Sequence, residues 1–496
     1  MRPVAELDAP FPHDATVPIG SAGRTIRVYR DPSGWHQSET EPNVFVEEHS
    51  LEYAVGAGTN GLTFLIRRGG YLFQAPLSFY SKTGKWNLSP GYESVDLGFT
   101  RPAPEACIVC HSGRSRAVPH RDGEYQDPPF DELAIGCENC HGPGAEHVKA
   151  LRRHTGAIVN PAKLSARLAE DICMNCHQRG DARILQPGKS YADFRPGQPL
   201  FLTLAIFKVP GEKSGQEGTD LLEHDAAMKA SRCFRASGGK LSCLTCHDPH
   251  VQPAGSEAVS YYRAKCFTCH TDASCRLPVG VRAAKDPPDD CAGCHMPKRD
   301  VTTISHSALT NHRIPASSKT APLDAPVADS ATGLILVDRP LDQPAQVPDL
   351  TLLRVYAELA PRSPAYKDRY LELLMHLSQT QPNEPFIQAA LGHKSLAEGR
   401  NEEALAQLSR AIVLDDSTVY SDLAKASSNL GKGDDALAYL KRAVNSDPFN
   451  PVLQKNLILQ YINLKRYADA RQAMETYVKS FPGDVFMRGM LARVSN

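Results

Sequence analysis

Residues 243–247 read CLTCH, and this arrangement of two cysteines three positions apart with a histidine directly after the second occurs six times in the chain. Numbered in chain order as motifs 1 to 6, the copies are Cys107/Cys110/His111, Cys137/Cys140/His141, Cys173/Cys176/His177, Cys243/Cys246/His247, Cys266/Cys269/His270 and Cys291/Cys294/His295. CxxCH is the attachment signature of c-type haem, in which both thiols bond to one porphyrin and the histidine binds the iron. The sequence therefore predicts six haem c groups, each with a proximal histidine.

Structural zinc is the alternative use of such cysteine pairs. Six pairs would supply three tetrahedral sites, but zinc has no need of a histidine after every pair. Of the 14 cysteines, only Cys233 and Cys275 lie outside the motifs. In an oxidising compartment these two have one possible pairing, a disulfide around motifs 4 and 5, and the alternative is two separate thiols.

Length, charge and hydropathy limit the classes of protein to which the chain can belong. The 496 residues leave room for two or three domains, and a formal net charge of −1 gives no basic surface for nucleic acid. No apolar run approaches the roughly 20 residues that span a bilayer, so we expect no membrane span. Because haem c is attached outside the cytoplasm, we expect a periplasmic or extracellular protein, with an export signal that is absent from this sequence.

Three zones and a linker follow one another along the chain. Residues 1–100 are predicted to be β-rich, because 24–30, 45–55, 62–68 and 71–80 alternate apolar with polar residues between turn signals. Residues 101–315 carry the six motifs and are expected to be irregular and mainly α-helical, with porphyrin supplying much of the apolar core. Residues 316–349 are proline-rich and predict an extended linker.

Residues 350–496 have a helical and repeating pattern. Ala404, Ala436 and Ala470 recur at similar positions relative to Asp416, Pro448 and Pro482. Small residues where helices cross, with a closing proline, are typical of tetratricopeptide repeats of about 34 residues. The predicted fold class is thus a small antiparallel sheet and an irregular, mainly α multihaem core, followed by an all-α tetratricopeptide solenoid; an ordinary helical bundle is the alternative for the last part.

The sixth ligand of each iron decides between electron transfer and substrate binding. Outside the motifs, ten histidines are available in the first 315 residues: His13, His36, His49, His120, His147, His154, His224, His250, His306 and His312. His147 and His250 lie too close in sequence to the proximal histidines before them to share the same haem, so each is expected to reach a neighbouring one. His224 and Met228 share a face of a helix predicted for residues 220–233, and we prefer His224 as the ligand.

Several stretches resemble exported multihaem cytochromes c that carry a C-terminal tetratricopeptide region. They include EHSLEYAVGAGTNG, YLFQAPLSFYS, AIGCENCHGPGAEH and SRCFRASGGKLSCLTCHDPH. The haem portion is similar to the group that contains the tetrahaem electron carrier of ammonia oxidisers and hydroxylamine-oxidoreductase type proteins. The resemblance implies six distal ligands, His49, His147, His224, His250, His306 and His312, and it also matches Cys233 and Cys275. No CxxCK motif, which attaches the working haem of related nitrite reductases, occurs here.

These features predict an electron carrier rather than an enzyme, with six bis-histidine haems and no catalytic residue. Redox partner proteins are expected to dock at a haem edge or in the groove of the repeats, and self-association is possible. One alternative is an enzyme with a five-coordinate haem that acts on a small nitrogen or sulfur oxyanion. Another is a subunit of a conducting cytochrome filament, built through contacts that do not close.

Overall fold

A computed structural model gives the architecture of the chain. It describes residues 1–7, 11–20, 23–92, 95, 97–150, 158–209, 223–299, 309–315, 327–337 and 347–494. The strands are β1 (Arg2–Pro3), β2 (Asp14–Ile19), β3 (Arg24–Asp31), β4 (Gly34–Glu41), β5 (Phe45–Ser50), β6 (Tyr53–Val55), β7 (Gly61–Arg68), β8 (Tyr71–Gln74), β9 (Leu77–Tyr80), β10 (Lys85–Leu88), β11 (Arg114–Ala117), β12 (Tyr125–Glu132), β13 (Ala182–Leu185), β14 (Leu204–Lys208), β15 (Lys298–Arg299), β16 (Leu309–Thr310), β17 (Val327–Asp329) and β18 (Leu334–Leu336). The helices are α1 (Glu105–Ile108), α2 (Cys137–His141), α3 (Ala145–Ala150), α4 (Ala166–His177), α5 (His224–Lys229), α6 (Arg232–Ala236), α7 (Cys243–Cys246), α8 (Ala258–Cys266), α9 (Val279–Ala283), α10 (Cys291–His295), α11 (Asp349–Leu359), α12 (Pro364–Thr380), α13 (Pro385–Ala397), α14 (Asn401–Arg410), α15 (Ser417–Asn429), α16 (Gly433–Ser446), α17 (Pro451–Asn463), α18 (Tyr467–Ser480) and α19 (Val485–Val494).

Two compact units divide the chain. The first unit combines residues 1–135 with residues 370–496, and the second unit consists of residues 136–369. These limits differ from the predicted boundaries at 100, 315 and 349, and they place motif 1 in the first unit, apart from the other five. The physical reason is Ile108, inside motif 1, which is buried in a cluster with Tyr125 and Phe130 of β12.

The N-terminal part of the first unit is built from antiparallel sheets. One sheet has the order β2-β3-β4-β5, and the other has the order β1-β6-β7-β9-β10 with β8 paired to β7. The predicted strands at 24–30 and 62–68 are confirmed as β3 and β7, whereas 45–55 and 71–80 each form two strands. Phe11, Trp35, Phe64, Phe79 and Trp86 form an aromatic core, in which the Phe11 and Phe79 ring centroids are 4.7 Å apart.

The C-terminal part of the first unit consists of antiparallel helix pairs. The helices α13, α15, α17 and α19 begin at residues 385, 417, 451 and 485, which are 32 to 34 residues apart. The alanines that set the predicted period, Ala404, Ala436 and Ala470, are all buried. Asp416 and Asn450 cap α15 and α17 by accepting hydrogen bonds from backbone N–H groups of the first helical turn. Helical repeats are therefore confirmed, and their assignment as a tetratricopeptide solenoid stays a prediction.

Residues of the repeat region contact the N-terminal part of the same unit. The Phe449 ring packs against both Tyr71 and Phe73, with centroid distances of 5.4 and 4.8 Å, and the Arg68 guanidinium carbon lies 4.5 Å from its centre. Arg121 donates a 2.8 Å hydrogen bond to the Asn445 carbonyl oxygen. The two ends of the chain therefore form one packed body.

The second unit contains a four-stranded antiparallel sheet of order β13-β14-β18-β17. The helices α4 and α5 pack beside it, with Met174 and Ala226 in a buried cluster with Leu204 and Ile206. Residues 327–337, the middle of the predicted linker, form β17 and β18 of this sheet because Leu334 and Leu336 are fully buried. The predicted extended linker is thus partly a folded strand pair in the residues that the structure describes.

Other predictions for the second unit concern α5 and membrane spanning. The helix predicted for residues 220–233 is interrupted, since α5 ends at Lys229 and α6 begins at Arg232, and residues 220–222 lie outside the described part. Within the described ranges, the structure has no helix of the length and apolar content needed to cross a membrane.

Candidate haem-ligand site

Each CxxCH motif lies in or next to a short helix. Motifs 2 and 6 coincide with α2 and α10, motif 3 ends α4, motif 4 begins with α7 and motif 5 begins at the end of α8. Local capping starts two of these helices: Asp290 accepts a 2.7 Å hydrogen bond from the Gly293 N–H, and Asn139 accepts one from the Gly136 N–H. In a helical turn the residues at i, i+3 and i+4 share a face, which directs both thiols and the imidazole the same way.

Three pairs of imidazoles join a proximal histidine to a predicted distal one within the second unit. The ring centroids are 5.9 Å apart for His141 and His250, 5.3 Å for His177 and His224, and 6.3 Å for His247 and His312, with interplanar angles of 24°, 19° and 32°. Two imidazoles that bind one metal from opposite sides, with metal–nitrogen distances of about 2.0 Å, have centroids about 6 Å apart. The separations of the His141–His250 and His247–His312 pairs match this value, and that of the His177–His224 pair is somewhat shorter.

A fourth imidazole contact has a different geometry. His224 and His312 stack directly, with centroids 4.2 Å apart at 24°. This separation is too small for an iron between the rings. His177, His224, His312 and His247 therefore form a row in which the two predicted distal ligands touch each other.

Neighbouring residues hold His177 and His224 in place. Gln178, which follows His177, and Glu223, which precedes His224, hydrogen-bond to each other through their side chains while both are buried. Glu223 also accepts a 2.7 Å hydrogen bond from the Gly180 N–H and pairs with Lys208 at 3.3 Å. Sequence reasoning missed Gln178 and Glu223, because nothing in their spacing relates residue 178 to residue 223.

The Nδ1 atoms of several candidate ligands have oxygen partners. His141 Nδ1 lies 2.7 Å from the Val159 carbonyl oxygen, His312 Nδ1 lies 2.9 Å from that of Thr310, and His295 Nδ1 lies 3.2 Å from that of Pro315. His250 Nδ1 lies 3.2 Å from a carboxylate oxygen of Asp248. An Nδ1–H that donates to oxygen leaves Nε2 deprotonated and available to a metal, the usual arrangement behind a metal-bound histidine.

His224 gives the clearest test of fit to a haem iron. Its Nε2 is buried and has no hydrogen-bond partner. Burial, and then the neighbouring His312, His177 and His247, lower the pKa of His224 to about 3. A neutral imidazole with an unpartnered ring nitrogen is the form that binds a metal, so these residues fit haem iron.

His49 has a different environment from the other predicted distal ligands. It lies on β5 in the first unit, and its Nε2 is 2.8 Å from a carboxylate oxygen of Glu47. Glu47 also faces Arg68 at 3.7 Å, and the His49 ring lies against Phe99. The nitrogen that would bind iron is therefore engaged by Glu47, and the role of His49 stays a prediction.

Three further predicted ligands, His111, His147 and His270, lie outside the three imidazole pairs described above. His111 follows α1, and its carbonyl oxygen accepts a 3.2 Å hydrogen bond from the N-terminal amine. His147 lies on α3, and His270 follows motif 5 as an exposed residue. His306 lies outside the described residues. These positions keep their predicted roles as predictions.

Thiols of successive motifs are neighbours in the second unit. The neighbouring pairs are Cys140 with Cys173, Cys173 with Cys243, Cys246 with Cys269, and Cys266 with Cys291. Burial, followed by the thiols of Cys291 and Cys246, raises the pKa of Cys266 to about 11. Motifs 2 to 6 therefore follow one another in space in their sequence order.

The predicted disulfide is not formed in the structure. No disulfide joins any of the 14 cysteines, all of which the structure describes; the 12 in the motifs are Cys107, Cys110, Cys137, Cys140, Cys173, Cys176, Cys243, Cys246, Cys266, Cys269, Cys291 and Cys294. Cys233 lies near the thiols of Cys246, Cys266 and Cys269, whereas Cys275 lies near Cys291 and Arg282. The pairing of Cys233 with Cys275 stays a prediction.

Among the described residues, no group of three or more His, Cys, Asp or Glu side chains is arranged to hold a metal ion.

Buried carboxylates surround motif 3. Asp171 on α4 is fully buried, pairs with Arg167 at 3.2 Å and accepts a 3.1 Å hydrogen bond from the Leu200 N–H. Burial raises the pKa of Asp171 to about 6, although Arg167 and the Leu200 N–H oppose the shift. Lys229 pairs with Asp225 at 2.8 Å and with Glu170 at 3.4 Å. The helix that carries motif 3 is thus held partly by charged groups.

Comparisons with known proteins relate part of the chain to multihaem cytochromes. It is 23% identical over 215 residues to the multihaem cytochrome MtrA of Shewanella baltica, covering 40% of this chain and 63% of that protein. It is 24% identical over 179 residues to the c-type polyhaem cytochrome OmcB of Geobacter sulfurreducens, covering 34% of this chain and 22% of OmcB. The chain therefore has weak homology to multihaem cytochromes and spans less than two thirds of the length of these relatives. No protein-family model matches it.

Solved structures with some similarity include MamA, with a TM-score of 0.25 and 18% identity over 28% of this chain and 82% of MamA. Another is the APC/C hetero-tetramer Cut9–Hcn1, with a TM-score of 0.26 and 15% identity over 30% of each chain.

Proposed function

We propose that the protein is a c-type cytochrome that relays electrons through six covalently attached haems, outside the cytoplasm. The observation that carries this proposal is the set of three imidazole pairs with centroids 5.3 to 6.3 Å apart, each joining a CxxCH histidine to a second histidine. Homology to MtrA and OmcB supports the multihaem class. A bound haem c supplies an iron that takes up and releases one electron.

The structure supports a ligand assignment for three haems. His141 and His250 would hold the iron at motif 2, His177 and His224 that at motif 3, and His247 and His312 that at motif 4. The oxygen partners of Nδ1 fix the ring planes of His141, His250 and His312, while Gln178 and Glu223 position His177 and His224. For motifs 1, 5 and 6 the available histidines are His49, His147 and His306, without an assignment to individual haems.

The spatial order of motifs 2 to 6 supports a relay. The Cys173 and Cys243 thiols contact each other, and the distal ligands of motifs 3 and 4 stack at 4.2 Å. Haems held by these two motifs would be close enough to exchange electrons directly. An iron held by two histidines would have no open position for a substrate, which favours a carrier over an enzyme.

A redox partner would complete the pathway. Repeat proteins bind partners on extended surfaces between their helices, so the helix pairs of residues 385–494 are a docking surface for such a protein. We assign the protein to the periplasm or the cell exterior, because c-type haem is attached there.

Replacing His224 by methionine tests the ligand assignment. The His224→Met holoprotein should keep six haems, with a mass about 3.7 kDa above the polypeptide, and one haem in six should titrate at a higher potential, because methionine ligation raises it. Potentiometric titration followed in the Soret band, with intact-mass measurement, gives both values. His120→Met, in an exposed turn, should leave every component unchanged.

Two results would contradict the proposal at different levels. A colourless purified protein without added mass would exclude haem attachment altogether. A His224→Met titration identical to that of the wild type would leave haem attachment intact and exclude His224 as a ligand.

A further inference from the structure

The segment that joins motif 4 to His250 contains a tight turn. Residues 247–250 read HDPH, and the Val251 N–H donates a 3.0 Å hydrogen bond to the Asp248 carbonyl oxygen. Asp at the first position and Pro at the second are favoured in such four-residue turns, because proline fixes its own φ near the required value. The sequence therefore sets the direction of His250 relative to Asp248.

The Asp248 side chain makes two hydrogen bonds to His250. Its Oδ1 accepts a 3.0 Å bond from the His250 backbone N–H and lies 3.2 Å from His250 Nδ1. The first bond holds the turn, and the second engages the imidazole on the side away from Nε2. The ring of His250 at the same time faces His141 at 5.9 Å.

The Nδ1 partner of His250 is charged, whereas those of His141, His247, His295 and His312 are neutral. Backbone carbonyl oxygens face Nδ1 of His141, His295 and His312, and the nearest Nδ1 partner of His247 is the Tyr262 hydroxyl at 3.5 Å. A carboxylate is an ionised acceptor, so its hydrogen bond is stronger than one to a neutral oxygen. It draws the Nδ1 proton away from the ring and makes Nε2 a more basic ligand.

We infer that Asp248 gives the haem held by His141 and His250 the lowest reduction potential among the haems of motifs 2, 3 and 4. The inference rests on the proposed function, because it requires His250 to be an axial ligand. A more basic imidazole stabilises ferric over ferrous iron, so the carboxylate lowers the potential of this haem. Asp248 is a positioning residue that also tunes the ligand, and it has no contact with the iron itself.

Solvent exposure limits the distance over which the charge of Asp248 acts. Its side chain is 46% exposed, so its charge is screened by water over longer distances. The direct hydrogen bond to Nδ1 does not depend on that long-range field. The effect is therefore expected at one haem only.

Potentiometric titration of the full-length holoprotein provides the test. The His250→Met variant first identifies the component of this haem, because the ligand change moves it to a higher potential. Asp248→Asn keeps an oxygen that accepts the backbone N–H but removes the charge. We expect it to shift the same component, the lowest of the three, to a more positive potential and to alter one low-spin signal in electron paramagnetic resonance.

Matched variants separate the hydrogen bond from other effects. Asp248→Glu keeps the carboxylate and should return the component towards its wild-type position. Asp290→Asn also removes a carboxylate that accepts a hydrogen bond from a backbone N–H, that of Gly293 at motif 6, and should leave this component unchanged.

The outcomes distinguish the inference from the proposed function. If His250→Met moves one component and Asp248→Asn moves none, Asp248 only forms the turn and the inference is wrong. If His250→Met changes nothing, His250 is not a ligand, and both the ligand assignment and the inference fail. A component of motif 3 or 4 at a lower potential than that of His250 would also overturn the inference.

Discussion

The N-terminal sheets and the haem segment, defined as residues 232–298, are built in opposite ways. The sheets enclose a cluster of 18 buried apolar residues, including Phe11, Trp35 and Trp86. In the haem segment, every residue of which the structure describes, the only buried residue is Arg282. It pairs with Asp272 at 2.6 Å and with Asp289 at 3.3 Å.

This contrast shows where each region obtains its stability. Burial of apolar surface is the main favourable term in folding, and the sheets supply it from their own side chains. The haem segment carries motifs 4, 5 and 6 but buries almost no side chain. Its order must come from short helices, ion pairs and the porphyrins that its cysteines are predicted to bind.

The largest expected effect follows from removing one haem from that segment. In the Cys266→Ser/Cys269→Ser double variant, motif 5 cannot hold a porphyrin, so we expect the loss of one haem and of nearly all amide-exchange protection around α8. The strands β4 and β7 should keep theirs. Hydrogen exchange with mass spectrometry measures both regions in one sample.

Cys233→Ser serves as the control for this experiment, because it removes a thiol from the same segment but no attachment site. It should retain every haem. Unchanged protection around α8 in the double variant would show that the segment folds on its side chains alone.

A second prediction concerns the pH dependence of stability that Asp171, a buried carboxyl group of the second unit, is expected to cause. The pKa of Asp171 is raised from 3.8 to about 6, so the folded state binds its proton more tightly than the unfolded state. The free energy of unfolding should therefore fall as the pH rises from 4 to above 6, by up to about 3 kcal/mol. Asp171→Asn should flatten this decrease, as measured by urea titrations of the Soret band across that pH range.

Asp193, an exposed residue of the same unit, is the control position for Asp171. Asp193→Asn should preserve the decrease to within about 0.5 kcal/mol. A slope that persists in Asp171→Asn would assign the pH dependence to other groups, Glu170 among them, whose pKa is also raised by burial.

A smaller effect is expected where the repeats contact the sheet. Phe449→Ala removes a half-buried ring that packs against Tyr71 and Phe73 and should destabilise the first unit by about 2 kcal/mol. Phe486→Ala removes a ring that is 70% exposed and should change stability by less than about 0.5 kcal/mol. Urea unfolding followed by the fluorescence of Trp35 and Trp86 reports on this unit.

Equal stabilities for Phe449→Ala and Phe486→Ala would mean that the contact between repeats and sheet contributes nothing measurable to the fold.

Sequence patterns predicted the local elements better than their associations. Alternation identified β3 and β7, and the spacing of Ala404, Ala436 and Ala470 identified the helix pairs. Neither pattern could show that Phe449 packs on Tyr71, because a contact between residues so far apart in the sequence leaves no local pattern. The prolines around residues 334–336 predict an extended linker, whereas these residues form a short buried strand.

In the candidate site, too, some features follow from the sequence and others depend on the fold. Proximal histidines follow from the motif spacing alone, since covalent chemistry fixes it. Ligand pairs such as His141 with His250 depend on the path of the chain between motifs, and so does the contact of Gln178 with Glu223. Glu47 beside His49 is a strand neighbour whose hydrogen bond no motif indicates.

The first unit is assembled from both ends of the chain, with residues 136–369 inserted between them. The entropy cost of closing such an insertion grows only slowly with its length, by about 0.6 kcal/mol for each doubling. Whole CxxCH modules can therefore be gained or lost within the insertion while the terminal segments still find each other. The segment that carries motifs 2 to 6 can therefore change in length during evolution without a change in the fold of the first unit.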